Sequence, residues 1–128
     1  MDKKIIAAGA VMGFIAIVLG AFGAHALKNA LDAGQLAVFE TGVRYQMYHA
    51  LFLLFAGTAP YISEKAKKAI LYLASSGVFL FSGSIYLLAT RSASGIDFSI
   101  IGFLTPIGGL LMIAAWGLLF FNIIKKKA

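Results

Sequence analysis

The 128-residue chain has no cysteine and little charge. Without cysteine it can form neither disulfides nor thiolate metal sites, and a cysteine nucleophile is excluded. Only 12% of the residues are charged, against about 25% in soluble domains, while 61% are hydrophobic. Soluble domains of this size bury only about 60 to 70% of the unfolded chain's surface, so such a chain would aggregate in water. The composition predicts one integral membrane domain, residues 1–128.

Acidic residues are also scarce, and the formal net charge is +6. The cations form short clusters beside long apolar runs, where they indicate membrane topology rather than a nucleic-acid surface. We therefore expect no nucleic-acid partner.

Four apolar segments are long enough to cross a bilayer, since about 20 helical residues cover its hydrocarbon core. We predict an all-α, four-helix transmembrane bundle with spans at about residues 5–26, 44–63, 69–90 and 105–124. The second helix should begin near Gly34 and enter the membrane around Arg44. A signal peptide is the alternative for the first span, but its apolar run is longer than a signal's h-region.

Pro106 divides the last apolar stretch. Thr105 as N-cap and Pro106 in the first turn would start the fourth span there, leaving residues 100–104 as an interfacial lead-in after a loop at 91–99. A proline kink in a longer helix is the alternative.

The positive charges also predict the orientation. With four spans, eight Lys side chains at the termini and the middle loop share one side, and three cations lie on the other. Under the positive-inside rule, both termini are cytoplasmic.

Small residues recur at helical spacing in three spans and predict faces on which helices pack closely. They are Gly9, Gly13, Ala16, Gly20 and Gly23 in the first span, Ala74, Gly77 and Gly83 in the third, and Gly108, Gly109, Ala115 and Gly117 in the fourth. We expect most of this packing inside the bundle, with a subunit interface as the alternative.

Polar side chains gather in the outer half of the predicted membrane domain. Such groups are costly in lipid and usually face the bundle interior, so they are the first place to look for a site. The predicted ligand-binding or structural cluster contains His25, Glu40, Arg44, Tyr45, Tyr48, His49, Ser82, Tyr86, Thr105 and Gly108. The i, i+4 spacing of Glu40 and Arg44 predicts an interior ion pair.

Two interpretations of this cluster remain open. In the structural one, Glu40 neutralises Arg44, and histidines and serines bond to backbone carbonyls. In the functional one, a pocket open to the outer leaflet or the periplasm holds an anion through Arg44 and the free N–H groups of residues 107–109. A metal or haem site on His25 and His49 is disfavoured by their spacing and the lack of extra carboxylates, so we expect no cofactor.

Four segments together resemble a known family: GAFGAHAL at 20–27, TGVRYQMYHAL at 41–51, LFSGSIY at 80–86 and TPIGG at 105–109. Over nearly the whole chain the sequence is similar to the uncharacterised small membrane protein family that includes bacterial YwdK and YgdD. The resemblance implies a four-span inner-membrane protein and implies no activity.

The leading functional hypothesis is a non-enzymatic membrane protein that binds a lipid head group, another anion or a partner protein through the polar cluster. The alternative is a small transporter or channel acting as a homo-oligomer. An enzyme using His49 with Tyr45 and Ser82 is not expected, because no Ser-His-acid order or metal spacing supports it.

Overall fold

The computed structural model describes residues 1–90 and 102–125. Four α-helices and one 3₁₀ turn account for most of these residues, and no strand occurs among them. In chain order they are α1 (Asp2–His25), the 3₁₀ turn (Leu27–Asn29), α2 (Ala33–Thr58), α3 (Glu64–Ala89) and α4 (Leu104–Lys125). The prediction of an all-α protein with four helices is therefore confirmed.

Local signals fix where the helices begin. Asp32 and Gln35 form a capping box at the start of α2, in which the Gln35 N–H donates to the Asp32 carboxylate at 2.7 Å. Ser63 caps α3 by accepting from the N–H of Ala66 at 3.2 Å. The third helix therefore begins at Glu64, so the basic residues just before the predicted span at 69–90 belong to its first turns.

The fourth helix begins at Leu104, which places Pro106 in its first turn, as the first interpretation predicts. Thr105 is not the N-cap, however, because the helix starts one residue before it. The predicted loop at 91–99 and the first two residues of the predicted lead-in at 100–104 lie outside the described residues.

The central pair of helices is α2 and α3, with α1 packed mainly on α2 and α4 mainly on α3. Between α1 and α3 the contact is slight. This arrangement leaves one groove between α1 and α3 and a second between α2 and α4. We call them the α1–α3 groove and the α2–α4 groove.

The small residues of α1 pack on α2, as predicted. A Cβ built on Gly9 would lie 2.8 Å from the Ala50 carbonyl oxygen, and one on Gly23 would lie 3.0 Å from the Phe39 ring. Between them Ala16 is fully buried. The close approach of α1 and α2 therefore depends most on Gly9 and Gly23, at the two ends of this row of small residues.

A second close approach joins α3 to α4 at Gly77 and Gly108. A Cβ on Gly77 would lie 2.9 Å from the Gly108 carbonyl oxygen, and a Cβ on Gly108 would collide with the backbone of Phe81. Gly83 and Gly117 behave differently, because a Cβ on either has nothing within 4 Å. The prediction that these two glycines pack within the bundle is therefore wrong.

Both termini of the helical domain lie at the same end of the molecule as the α2–α3 connection. The Lys67 ammonium donates to the Asp2 carboxylate at 2.9 Å and to the Gly57 carbonyl at 3.3 Å. At the same end, the Ser63 N–H donates to the Asn122 side-chain oxygen at 3.2 Å. Lys67 is one of the cations predicted to lie in the middle loop, but it lies in α3 and is only 4% exposed. Its contacts join the ends of α1, α2 and α3.

Three helices, α1, α3 and α4, are long and apolar enough to cross a membrane. The second helix, α2, is not among them, since Arg44, Gln46 and His49 interrupt its apolar run. It ends at Thr58, so the segment predicted as a span at residues 44–63 also includes the connection after the helix.

Candidate functional site

The residues of the predicted polar cluster separate onto different sides of α2. Ser82 and Tyr86 lie beside the α1–α3 groove, where the Ser82 hydroxyl donates to the Gly42 carbonyl and the Tyr86 hydroxyl donates to the Gln46 side-chain oxygen. Tyr45 and His49 line the α2–α4 groove. The remaining members lie elsewhere and are described in turn.

Glu40 and Arg44 do not form the predicted interior pair. Both side chains are exposed, and the Arg44 guanidinium donates to the Thr41 hydroxyl at 3.2 Å. Within the described residues, the one ion pair is that between Lys67 and Asp2. The i, i+4 spacing permits a Glu40–Arg44 contact but does not enforce it, because Thr41 offers the guanidinium a nearer acceptor.

Three further predicted members do not join the cluster. His25 is exposed at the end of α1. Thr105 shares a hydrogen bond of 2.6 Å with the Ser84 hydroxyl, which fastens the start of α4 to α3. Gly108 is buried in the α3–α4 crossing, so it is a packing position.

Gln46 is the centre of the interior network, although it is not a member of the predicted polar cluster. Its amide N–H donates to the Met12 carbonyl at 2.8 Å, and its amide oxygen accepts from the Tyr86 hydroxyl at 2.7 Å. One turn away, the Ser82 hydroxyl donates to the Gly42 carbonyl at 2.7 Å. These bonds connect α1, α2 and α3. An uncharged amide inside the predicted second span, 44–63, was the signal that could have found them.

His49 is nearly fully buried and has a hydrogen bond at each ring nitrogen. Its Nδ1 lies 2.7 Å from the Tyr45 carbonyl oxygen, and its Nε2 lies 3.0 Å from the indole nitrogen of Trp116. A carbonyl only accepts and an indole N–H only donates. The contacts therefore require a neutral imidazole with its proton on Nδ1.

The α2–α4 groove has a volume of about 860 Å³ and is open along its length. One wall carries Thr41, Tyr45 and His49 from α2, the floor is Phe81 from α3, and the other wall carries Gly109, Met112, Ile113, Trp116, Gly117 and Phe120 from α4. The Trp116 ring also packs against the Phe52 ring at a centroid distance of 4.3 Å and an interplanar angle of 37°. Because Gly117 has no side chain, the α4 wall is recessed beside Trp116.

Tyr45 supplies an uncommitted polar group in this groove. Its ring contacts Tyr48 and Phe81 at centroid distances of 5.4 Å and 5.2 Å, and its side chain is 39% exposed. Over residues 1–90 and 102–125, its hydroxyl has no hydrogen-bond partner. This exposed hydroxyl is therefore available to bind a ligand.

The α1–α3 groove is similar in size, about 810 Å³, but three of the five polar side chains that line it are engaged within the protein, and among the described residues only Lys4 and Ser75 are not. Gln46, Ser82 and Tyr86 line it, and each already has a partner in the protein. Gly83 widens its α3 wall. We therefore regard this groove as the weaker candidate for specific binding.

The chain is similar to known proteins over most of its length. A family profile described as "Protein of unknown function (DUF423)" matches residues 19–109. A UPF0382 membrane protein of Staphylococcus saprophyticus is 40% identical over 123 residues, covering 96% of this chain and 98% of that protein. The UPF0382 membrane protein YwdK of Bacillus subtilis is 37% identical, covering 89% of this chain and 90% of YwdK. The UPF0382 inner membrane protein YgdD of Escherichia coli is 36% identical, covering 92% and 87%. No solved structure matches the chain.

Proposed function

The chain belongs to the DUF423 family, and the relatives named above are membrane proteins. From this premise we propose that it is a binding protein for an elongated amphiphile of the bilayer. The proposed site is the α2–α4 groove, and the proposed ligand is a lipid of the outer leaflet.

The observation that supports this most is the free Tyr45 hydroxyl at the side of an apolar groove. A donor without a partner is unfavourable in hydrocarbon, where no water replaces the missing acceptor. A lipid whose ester carbonyl accepts from Tyr45 would satisfy that hydroxyl. Its acyl chain would then lie along Met112, Ile113 and Phe120.

The depth of Tyr45 fits an outer-leaflet lipid. Gly20 of α1 packs 3.5 Å from Val43, as measured from a built Cβ, so Tyr45 lies slightly below the level of Gly20. Gly20 is four residues, about 6 Å of helix rise, inside the end of the apolar run of α1. A tyrosine side chain there can direct its hydroxyl toward the carbonyl region of the bilayer.

We also propose that α2 is a fourth span and that both termini are cytoplasmic. In support, α2 packs between two helices that are apolar enough to cross a membrane. The eight Lys side chains assigned to the cytoplasmic side outnumber the three cations on the other. The groove end at Thr41 would then face the outer leaflet.

The proposed activity is binding without catalysis. The His49 ring, the strongest candidate for a general base, has both nitrogens engaged by Tyr45 and Trp116. A base must be within reach of the proton that it removes, and His49 would have to release a partner first. Over residues 1–90 and 102–125, no observation favours transport over binding.

The single tryptophan of the chain makes a direct test practicable, because Trp116 lies in the groove wall. The protein is purified in detergent micelles containing a small fraction of phospholipid brominated on its acyl chains. Bromine quenches indole fluorescence at short range, so we expect quenching that saturates and that unlabelled phospholipid reverses by competition.

Two glycine variants provide the matched comparison. Gly117→Leu fills the α2–α4 groove, and Gly83→Leu fills the α1–α3 groove; a Cβ on either position has nothing within 4 Å. Gly117→Leu should abolish the saturable quenching, and Gly83→Leu should leave it unchanged. Equal saturable quenching in the wild type and Gly117→Leu would show that no lipid occupies this groove.

The hydroxyl is tested separately. Tyr45→Phe should weaken the binding of the competing phospholipid about fivefold, which is the equivalent of about 1 kcal/mol for one hydrogen bond. Tyr72→Phe is the control, since Tyr72 is 58% exposed on α3 and lies outside the groove. If Tyr45→Phe binds like the control, the hydroxyl has no part in recognition.

A further inference from the structure

One face of α2 is uncovered along the whole helix. Glu40, Arg44, Tyr48, Leu51 and Phe55 on this face are all exposed. Their positions recur at steps of three and four, so they form one narrow stripe, which we call the α2 seam. The seam does not include Thr41, Tyr45 or His49, which line the neighbouring groove.

The seam carries two opposite charges that do not satisfy each other within the protein. Glu40 and Arg44 are one helical turn apart, yet the Arg44 guanidinium bonds to the Thr41 hydroxyl instead of the Glu40 carboxylate. Thr41 lies about 100° round the helix from Glu40, so this contact turns Arg44 away from the carboxylate. Each charge is left able to pair with a group from another molecule.

The depth of these charges makes their exposure unfavourable in lipid. Arg44 lies just below the level of Gly20, whose built Cβ is 3.5 Å from Val43, and Glu40 lies near Gly23, which packs against Phe39. All of α1 at these levels is apolar. Of the four described helices, α2 is also the one that is not apolar enough for a span. It is therefore the helix whose exposed face gains most from contact with protein instead of lipid.

We propose that the α2 seam is the interface with a second copy of this chain, in a parallel two-fold dimer. In such a dimer the same seam is used twice, and residue pairs occur reciprocally. Arg44 of each protomer would pair with the partner's Glu40, and the apolar residues Tyr48, Leu51 and Phe55 would pack across the axis below them.

Helix geometry allows this pairing. In parallel copies, the partner's Glu40 lies one turn, about 6 Å, closer to the membrane surface than Arg44. A long arginine side chain extends toward the surface from within the membrane and so reaches that level. The steps of three and four are those of left-handed helix pairs, in which each side chain packs between four of the partner's.

Disulfide cross-linking in native membranes tests the interface, since the chain has no cysteine of its own. A single Leu51→Cys or Phe55→Cys substitution should give a covalent dimer on oxidation, because a disulfide forms only between Cα atoms within about 7 Å. Phe14→Cys on α1 and Leu110→Cys on α4 are matched controls, being 70% and 66% exposed in the native chain. Cross-linking at the controls that equals cross-linking at the seam would overturn the proposal.

A charge exchange then tests the Glu40–Arg44 pairing in the Leu51→Cys background. Glu40→Arg or Arg44→Glu alone places like charges together and should reduce cross-linking about tenfold or more. The double exchange restores complementarity and should return cross-linking to the starting level. The uncharged variant Arg44→Gln should cross-link less than the starting protein and more than the single charge exchanges. Trp116 fluorescence verifies the folding of each variant. Single exchanges without effect, or a double exchange no better than the singles, would contradict the proposed pairing.

Discussion

Adding one methyl group at the α3–α4 crossing should destabilise the protein, whereas the same addition nine residues further along α4 should not. The two variants are Gly108→Ala and Gly117→Ala. At Gly108 the new Cβ would collide with the Phe81 amide nitrogen and lie 2.7 Å from the Gly77 carbonyl oxygen. Both groups are backbone, so neither can rotate away. At Gly117 the new methyl group has nothing within 4 Å.

The structure sets the expected magnitude. Ordinary contacts begin near 3.4 Å, so at the Gly77 oxygen α3 and α4 must separate by about 0.7 Å. Overpacking of this kind costs about 1 to 3 kcal/mol, and three backbone contacts favour the upper half of that range. Both variants gain the same helix propensity, about 1 kcal/mol, which cancels in the comparison. We expect Gly108→Ala to be about 2 to 3 kcal/mol less stable than Gly117→Ala.

The assay is reversible unfolding in mixed micelles by increasing sodium dodecyl sulfate, followed by circular dichroism and Trp116 fluorescence. Gly117→Ala should match or exceed the wild type, and Gly108→Ala should unfold at lower detergent fraction. Gly77→Ala and Gly83→Ala repeat the comparison on α3, with Gly77→Ala the less stable. Equal stability of Gly108→Ala and Gly117→Ala would mean that α3 and α4 do not cross as described.

Three further predictions concern the polar groups and the topology. Gln46→Leu and Tyr86→Phe should each destabilise the protein by about 1 to 2 kcal/mol. Because the two side chains share a 2.7 Å hydrogen bond, the double mutant should show a coupling energy of about 1 kcal/mol. If the two losses of stability simply add in the double mutant, the side chains are not coupled. Asp2→Asn should destabilise more than Asp2→Asn combined with Lys67→Met, since the single change leaves a buried ammonium without its carboxylate; thermal unfolding decides the order. A reporter active only in the periplasm should be silent when fused after residue 128, and strong activity would reverse the proposed orientation.

The sequence predicted the helices and their close contacts because those depend on local composition. Long apolar runs specify helices, and small residues at helical spacing specify where backbones can approach, as Gly9 and Gly23 do. The family resemblance was confirmed as well. Spacing alone could not separate Gly108, which is buried in a crossing, from Gly117, which faces an open groove.

The interior partners were less accessible to sequence reasoning. Charge directed attention to Glu40 and Arg44, but the buried network is organised by the neutral amide of Gln46 and its bonds to two other helices. Which residues of different helices meet depends on how the helices rotate and slide against each other, and no local pattern encodes that. The contact of His49 with Trp116, 67 positions away in the chain, shows the same dependence.

A crystal structure grown from lipid would test the proposed binding site most directly. We predict elongated density in the α2–α4 groove, lying along Met112 and Phe120, with an acceptor atom about 3 Å from the Tyr45 hydroxyl. An α2–α4 groove closed by its own side chains, or elongated density confined to the α1–α3 groove, would contradict the proposed function.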